Sequence, residues 1–336
     1  MDNLGFWANL KKPIMALAPM ANVTDSAFRQ IIARYGKPDV FWTEFISADG
    51  LCSAGREHLE PDLYFTEIER PIVLQLFGSN PSTIRDAAAM ARERGFDGVD
   101  INMGCPDKAV EKQGAGAHLI KNPELAKEII KAAKEGAQKL PVSVKTRIGY
   151  SRDITEEWTN ILLATKPALI SFHLRTRREM SKTRAHWDAL ARAVAIRNAT
   201  KSETLIFGNG DIMSIAEAKD RAGATGADGV MMGRAIFGNP WFFSGKDRAD
   251  IPLTERLSVM AEHAELFQKL FSATKHFAIM KKHFKAYAAD FDGAKELRLQ
   301  LMNTESVQEV CRIISNFRSS PKGLARLDAI LGKTEP

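Results

Sequence analysis

The sequence predicts a (β/α)8 TIM barrel followed by a small C-terminal all-helical domain. Eight short apolar, β-rich runs lie between residues 14 and 234, segments of helical period separate most of them, and only helical periodicity continues after about residue 250. The runs cover residues 14–20, 40–46, 71–77, 98–104, 141–147, 169–175, 205–210 and 229–234. They are near-continuously apolar rather than alternating, as expected of parallel strands covered by helices. Helical segments follow at 25–34, 81–94, 123–138 and 214–222. Eight such units point to a closed ring. A doubly wound open sheet is the alternative, weakened because no G-x-G-x-x-G follows the first strand.

The tail reads as helices only. Leu253, Leu257, Met260, Ala264, Phe267 and Phe271 recur at three- or four-residue spacing, as do Phe277, Met280, Phe284 and Tyr287, and then Val307, Val310, Cys311, Ile314 and Phe317. Lys281, Lys282 and Lys285 project beside the second stripe, where a solvated face and a basic flank for a polyanion are equally good readings. Cys311, within the third stripe, reads as a core cysteine. The expected division is a catalytic barrel over residues 1–250 and a helical domain over 251–336.

Composition sets limits. The 336 residues are 45% hydrophobic and 26% charged, too long for one small domain and ordinary for a soluble protein. No apolar run reaches the roughly 18 residues of a membrane span, and residues 1–13, with Asp2, Lys11 and Lys12, lack the apolar core of a signal peptide. Three scattered cysteines disfavour disulfides and structural zinc, so no metal and a cytoplasmic location are expected. The net charge of +6 permits a polyanionic partner without demanding one. Residues 175–184 concentrate Arg175, Arg177, Arg178, Lys182 and Arg184 against Glu179 alone, which suits either a solvated loop or a nucleic-acid contact. Nothing implies an obligate protein partner.

In a barrel, function gathers where strands end. Polar or unusual residues fall at those places: Ala18-Pro19-Met20, Glu44, Gln75, Asn102 with Cys105, Lys145 with Arg147, His173 with Arg175, Asn209-Gly210-Asp211, and Gly233-Arg234. The loops after the seventh and eighth strands are the usual phosphate site of such barrels, and glycines there allow close backbone approach beside the Arg234 cation. Lys145 is either a Schiff-base nucleophile or a cation facing an electron-rich ligand. Gln75 and His173 are either ligand contacts or satisfied core groups, and spacing does not decide between them. Cys105, held between Gly104 and Pro106, has an ordinary thiol pKa of about 8.5, so it is mostly protonated at neutral pH and can serve as a general acid. The stretch Gly114-Ala115-Gly116-Ala117 reads as a mobile flap beside it.

Six ordered segments resemble the tRNA-dihydrouridine synthase family: Ala18-Pro19-Met20-Ala21-Asn22-Val23-Thr24-Asp25, Asn102-Met103-Gly104-Cys105-Pro106, Gly114-Ala115-Gly116-Ala117, Val144-Lys145-Thr146-Arg147, His173-Leu174-Arg175-Thr176-Arg177, and Gly233-Arg234 with Asn239-Pro240-Trp241. The resemblance implies FMN over the barrel mouth, near Ala18, Pro19 and Met20. Gln75, Lys145 and His173 would lie on its ring and ribityl side, and Asn209, Gly210, Asp211, Gly233 and Arg234 would hold its phosphate. NADPH would be the reductant and tRNA the partner. Hydride would pass to uracil C6 while Cys105 protonates C5. Asn102, Arg175 and Arg177 would hold the extruded base, and Lys281, Lys282 and Lys285 would meet the RNA. Two departures stand out. Leu174 replaces the family's usual glycine, and residues 180–186 lack its tyrosine and acidic residue, which bears on the RNA-facing loop. The rival readings are a small-molecule flavin barrel resembling dihydroorotate dehydrogenase, a non-catalytic RNA binder, and a Schiff-base aldolase using Lys145.

Overall fold

A computed structural model describes residues 4–319. Eight parallel strands follow one another around a ring: β1 (Ile14–Leu17), β2 (Phe41–Ser47), β3 (Ile72–Phe77), β4 (Gly98–Met103), β5 (Val142–Arg147), β6 (Leu169–His173), β7 (Leu205–Asn209) and β8 (Gly229–Met232). β1 pairs with β8 on one side. On its other side the Ala16–Val40 bridge, with Leu17 N–H donating to the Val40 carbonyl at 3.2 Å, joins it to the β2 edge and closes the barrel. The helices are α1 (Ser26–Tyr35), the single turn α2 (Ala48–Leu51), α3 (Pro81–Glu93), the short α4 (Lys108–Lys112), α5 (Pro123–Ala137), α6 (Thr155–Ala164), α7 (Trp187–Ala199) and α8 (Ile215–Thr225). Side-chain caps start several of them: Asp25, Asn80, Asn122 and Ser214 each accept a backbone N–H from the first turn.

Several observed strands stop short of their expected ends, β1 by three residues and β6 and β8 by two. After β6 the chain turns over the mouth without leaving the core, whereas Arg234 after β8 is exposed. Leu174, for example, is fully buried, and its N–H and carbonyl bond to Asn209 and His186. A side chain at that position fills a space that glycine would leave.

Alternation divides the barrel into two cores. Ile14, Ala16, Trp42, Val73, Leu169, Leu205, Phe207 and Met231 point inward and pack with Trp7, which lies 5.6 Å from Trp42 and 5.8 Å from Phe207 between ring centres. The intervening residues, such as Leu17, Phe41, Ile72 and Ile101, pack outward under the helices. Above the inward apolar layer the barrel turns polar, with Gln75, Asp100, Ser143 and Ser171 all buried.

From Leu253 the chain is helical: α9 (Leu253–Phe271), α10 (Met280–Tyr287), α11 (Ala294–Leu301) and α12 (Val307–Arg318). Residues 320–336 of the expected helical domain lie outside the described residues. Among the described residues no helix is long and apolar enough to cross a membrane. The core of the tail also takes in Ala27 and Ile31 of α1 and Trp241. Polar contacts reinforce this docking: Tyr35 donates to Glu262 at 2.5 Å, and the Lys275 ammonium lies 3.1 Å from Glu44 and 2.5 Å from Asp62. Cys311 is only half-buried, with its thiol 3.7 Å from Glu265, so it edges the stripe in which it was expected to be core.

At the seam, His263 of α9 and His283 of α10 are fully buried with ring centres 4.7 Å apart, and Phe28 of α1 packs on both. Their four ring nitrogens have no hydrogen-bond partner. Burial pushes His263 down to about 3, and burial, His263 and Lys282 hold His283 well below its ordinary value. Because the folded values lie below the unfolded value of about 6.5, the unfolded chain takes up protons first. Stability from this pair is therefore present above about pH 6.5 and is lost as pH falls toward the folded values. Between about pH 7 and pH 5 the thermal midpoint should fall relative to that of a His263→Phe/His283→Leu variant, superimposed on an opposite change from Asp25 and Asp100, which burial raises to about 7 and about 6. The same pH dependence in that variant would show that the pair does not contribute to the acid response.

Candidate active site

The C-terminal ends of the strands surround a cleft of about 650 Å3. Its walls come from the ends of β5, β6, β7 and β8 and from the loops after β1, β4, β6, β7 and β8, and include Ala18, Pro19 and Met20, Pro106, Lys145 with Arg147, His173 with Arg175, Asn209 to Met213, and Gly233 with Arg234. Most of the sequence-predicted residues thus converge, but Cys105 and Arg177 are not among those that line the cleft, where the loop after β4 contributes Pro106. Gln75 is fully buried below the cleft, and Asn102 is nearly so. Lys281, Lys282 and Lys285 lie on α10, the first two half-buried and the third exposed, outside this cleft.

One end of the cleft is cationic. Asp211, in the left-handed region at φ 56°, accepts from Arg175 and, at 2.7 Å, from Arg234, and its side chain also takes the Ala185 N–H at 2.8 Å. A carboxylate cannot donate to a phosphate, so the Asp211 side chain can serve such a ligand only by aiming these two guanidinium groups. Gly210 sits at φ 145°, and a Cβ there would come within 2.8 Å of Ala185. A Cβ on Gly233 would meet the Met20 sulfur at 3.3 Å, so a larger residue would crowd the cleft wall.

Toward the centre, the Lys145 ammonium donates to Asn209 Oδ1 at 3.4 Å, and Asn209 Nδ2 donates to the Met231 carbonyl at 2.7 Å. Burial first, then Arg147, brings Lys145 down to about 8, with Asp100 and Cys105 opposing. It remains mostly charged at neutral pH. His173 is driven well below its ordinary value by burial and by Lys145, Arg147, Arg175 and Arg234. Its Nε2 lies 3.4 Å from an Arg175 donor, so the neutral ring is assigned its proton on Nδ1.

Cys105 is half-buried on the loop after β4. Asn102 Oδ1 accepts the Gly104 N–H at 3.1 Å and the Cys105 N–H at 2.9 Å, which folds the turn back onto the strand end. Gly116, at φ +61°, lets Ala117 N–H reach the Cys105 carbonyl at 2.9 Å. Burial pushes the thiol pKa up, with the Asp107 N–H, Arg147 and Lys145 pulling the other way. The group that results is a neutral thiol with cations nearby, a proton donor more than a nucleophile.

Of the five cations in residues 175–184, two turn inward. Arg175 is 2% exposed and donates to the Thr183 carbonyl at 2.8 Å as well as to Asp211. Arg177 grips Glu111 bidentately and donates to the Pro106 carbonyl at 3.2 Å, tying its loop to the cysteine loop. Arg178, Lys182 and Arg184 are exposed. Sequence reasoning gave no role to Arg147, which donates to the Gly104, Thr176 and Met180 carbonyls and is brought down to about 10, chiefly by burial. Nor did it single out Glu111 or Asp100. Their partners lie tens of residues away, and no local pattern signals them.

Comparison with known proteins adds an independent line. The family described as "Dihydrouridine synthase (Dus)" matches residues 16–320. A "Probable tRNA-dihydrouridine synthase" of Staphylococcus epidermidis is 40% identical over 328 residues, covering 96% of this chain and 98% of that protein. A "Probable tRNA-dihydrouridine synthase 2" of Bacillus subtilis is 40% identical over 316 residues, covering 93% and 96%. Among solved structures, histamine dehydrogenase from Rhizobium sp. 4-9 aligns with a TM-score of 0.52 at 13% identity over 75% of this chain, a likeness of fold. The chain spans about half of that enzyme, 48% of its length.

The cysteine turn depends on Gly116, where a Cβ would lie 2.8 Å from both the Cys105 carbonyl and Val110. Gly116→Ala should lower stability by about 1–2 kcal/mol, from the left-handed backbone alone, and should change the rate at which iodoacetamide alkylates Cys105. Denaturation and peptide mass spectrometry would measure the two effects. Unchanged stability and alkylation would mean that the turn does not need glycine.

Proposed function

The chain belongs to the dihydrouridine synthase family, and from that premise we propose that it reduces the C5=C6 bond of uridines in tRNA, with FMN bound in the cleft and NADPH as reductant. The observation that carries the reading is the polarity of the cleft: two aimed arginines at one end, half-buried charged Lys145 at its centre, and a neutral thiol on the loop beside it.

The residues present suit a flavin phosphate ester. Arg175 and Arg234, oriented by Asp211, with the backbone of Gly210 and Gly233, offer donors to a phosphate. Asn209 and neutral His173 offer hydrogen bonds along a polyol chain. Lys145 supplies positive charge where electron density accumulates on a reduced ring, and the apolar surface of Ala18, Pro19 and Met20 suits a ring edge. Gln75, already engaged at both amide atoms, supports this site from below. FMN reduced by NADPH supplies hydride at uracil C6.

Cys105 holds the proton delivered to C5. Its raised pKa keeps the proton on sulfur at neutral pH, and Lys145 and Arg147 stabilise the thiolate left behind. Asn102 and Arg177 fix the turn that carries the thiol. The uridine must leave its stack to enter the cleft, which calls for a grip on neighbouring phosphates. Exposed Arg178, Lys182 and Arg184 suit that task, as do Lys281, Lys282 and Lys285 of α10. A small-molecule reductase reading explains the cleft but assigns no work to these cations.

Cys105→Ala should keep bound flavin and its reduction by NADPH, while reoxidation by tRNA slows by about 10²- to 10⁴-fold, the usual contribution of a general acid. Single-turnover absorbance separates the two half-reactions. Wild-type reoxidation by tRNA in this variant would remove the thiol from the mechanism.

A further inference from the structure

Asp100, in the middle of β4, is fully buried one layer below the cleft. Strand register sets Gln75 and Ser143 beside it, on β3 and β5. Ser143 donates its hydroxyl to Asp100 Oδ1 at 2.5 Å, and Gln75 donates Nε2–H to Oδ2 at 2.6 Å. The other amide atom of Gln75, Oε1, accepts from Asn102 Nδ2 at 3.1 Å. Asn102 is thereby left with Oδ1 facing the loop, where it takes the Gly104 and Cys105 N–H groups.

The order of donors and acceptors in this chain is not arbitrary. A primary amide has nearly the same shape in its two orientations, so packing alone does not choose between them. An ionised carboxylate only accepts, and therefore fixes the Gln75 amide with its nitrogen toward Asp100. That fixes the oxygen toward Asn102, which in turn directs the Asn102 nitrogen back and its oxygen outward. Reversed, Asn102 would present N–H groups to two backbone N–H groups, and the turn would lose both bonds. Burial alone raises Asp100, to about 6, while Ser143, Gln75, Lys145 and Trp42 each draw it down, so the group is mostly ionised at neutral pH.

We propose that Asp100 is a positioning residue for the Cys105 turn, acting through the Gln75 and Asn102 amides whose orientation it dictates. It touches neither substrate nor cofactor. The proposal rests on the reading of Cys105 as the proton donor, and it assigns Gln75 and Asn102 a shared task that neither could perform without the buried anion.

Asp100→Asn is the test, because it keeps size while placing an amide where only an acceptor fits. Its nitrogen must face either Gln75 Nε2, where the conflict passes on to Cys105, or the Ser143 hydroxyl, which must then turn to the Val99 carbonyl at 3.3 Å. In either case the order that the ionised carboxylate imposes is no longer dictated. The double variant Asp100→Asn/Gln75→Glu restores the order with the same net charge. Asn at position 100 donates to one oxygen of the new glutamate, whose other oxygen accepts from Asn102. Three readouts are needed on the flavin-loaded protein: flavin reduction by NADPH, flavin reoxidation by tRNA, and iodoacetamide alkylation of Cys105 resolved by peptide mass spectrometry.

The single variant should retain flavin and its reduction, slow reoxidation by tRNA by about tenfold to a hundredfold, as small misplacements do, and alter Cys105 alkylation. The double variant should recover most of both losses. The proposal is overturned if the single variant matches wild type in both cysteine-dependent readouts, if it loses flavin in proportion to activity, or if the double variant is no better than the single. Should only the double variant fold, its own reoxidation and alkylation rates decide, wild-type-like values in favour and slow ones against. Should neither fold, Asp100 serves the core and the proposal falls. Alkylation needs no tRNA turnover, so a changed alkylation rate with no wild-type activity on tRNA would sink the functional reading and leave the positioning role standing.

Discussion

A closed ring of parallel strands excludes water from its interior, so each polar side chain that points inward must find a partner inside or at the mouth. The lower interior largely avoids the problem with Ile14, Val73, Phe207 and Met231. The upper interior accepts it, and Gln75, Asp100, Asn102 and Ser143 satisfy one another in a single connected set. The same dryness shapes the chemistry above. It lowers Lys145 and His173, lifts Cys105, and makes each charge at the mouth count for more than it would in water. Protonation states in the cleft therefore follow from the closure of the barrel as much as from the residues themselves.

A second level of order comes from arginines that hold loops by their carbonyls. Arg147 spans the loops after β4 and β6, Arg177 joins them again through Glu111 and Pro106, and Arg175 secures the same segment through Thr183. The rigid fork of a guanidinium suits this task, since one side chain can serve several acceptors in fixed directions. A basic run in the sequence thus divides by structure into cations that build the site and cations left free for a polyanion.

The barrel was legible because its signals are local: apolar runs, helical period and turn glycines repeat in order. The cleft was legible for a related reason, because strand ends converge in any such barrel and the polar residues at those ends were visible. What escaped were relations between distant positions. Glu111 pairs with Arg177, Asp100 with Gln75 and Ser143, and Lys275 with Glu44 and Asp62, and none of these shares a spacing pattern. His263 and His283 each sit within a helical stripe, where a buried histidine looks like any polar break in periodicity. The inward turn of Arg175 and Arg177 was hidden for the same reason, since charge runs reveal composition but not direction.

The packing of the tail against Ala27, Ile31 and Trp241 has a consequence for how the chain is made. α1 emerges from the ribosome before seven of the eight strands, yet the helices that cover its outer face are encoded after all eight. Throughout synthesis of the remaining seven strands that face stays greasy and available to other chains or to chaperones. α1 and the helices α9–α12 are thus one unit of maturation, joined across seven strands of the barrel.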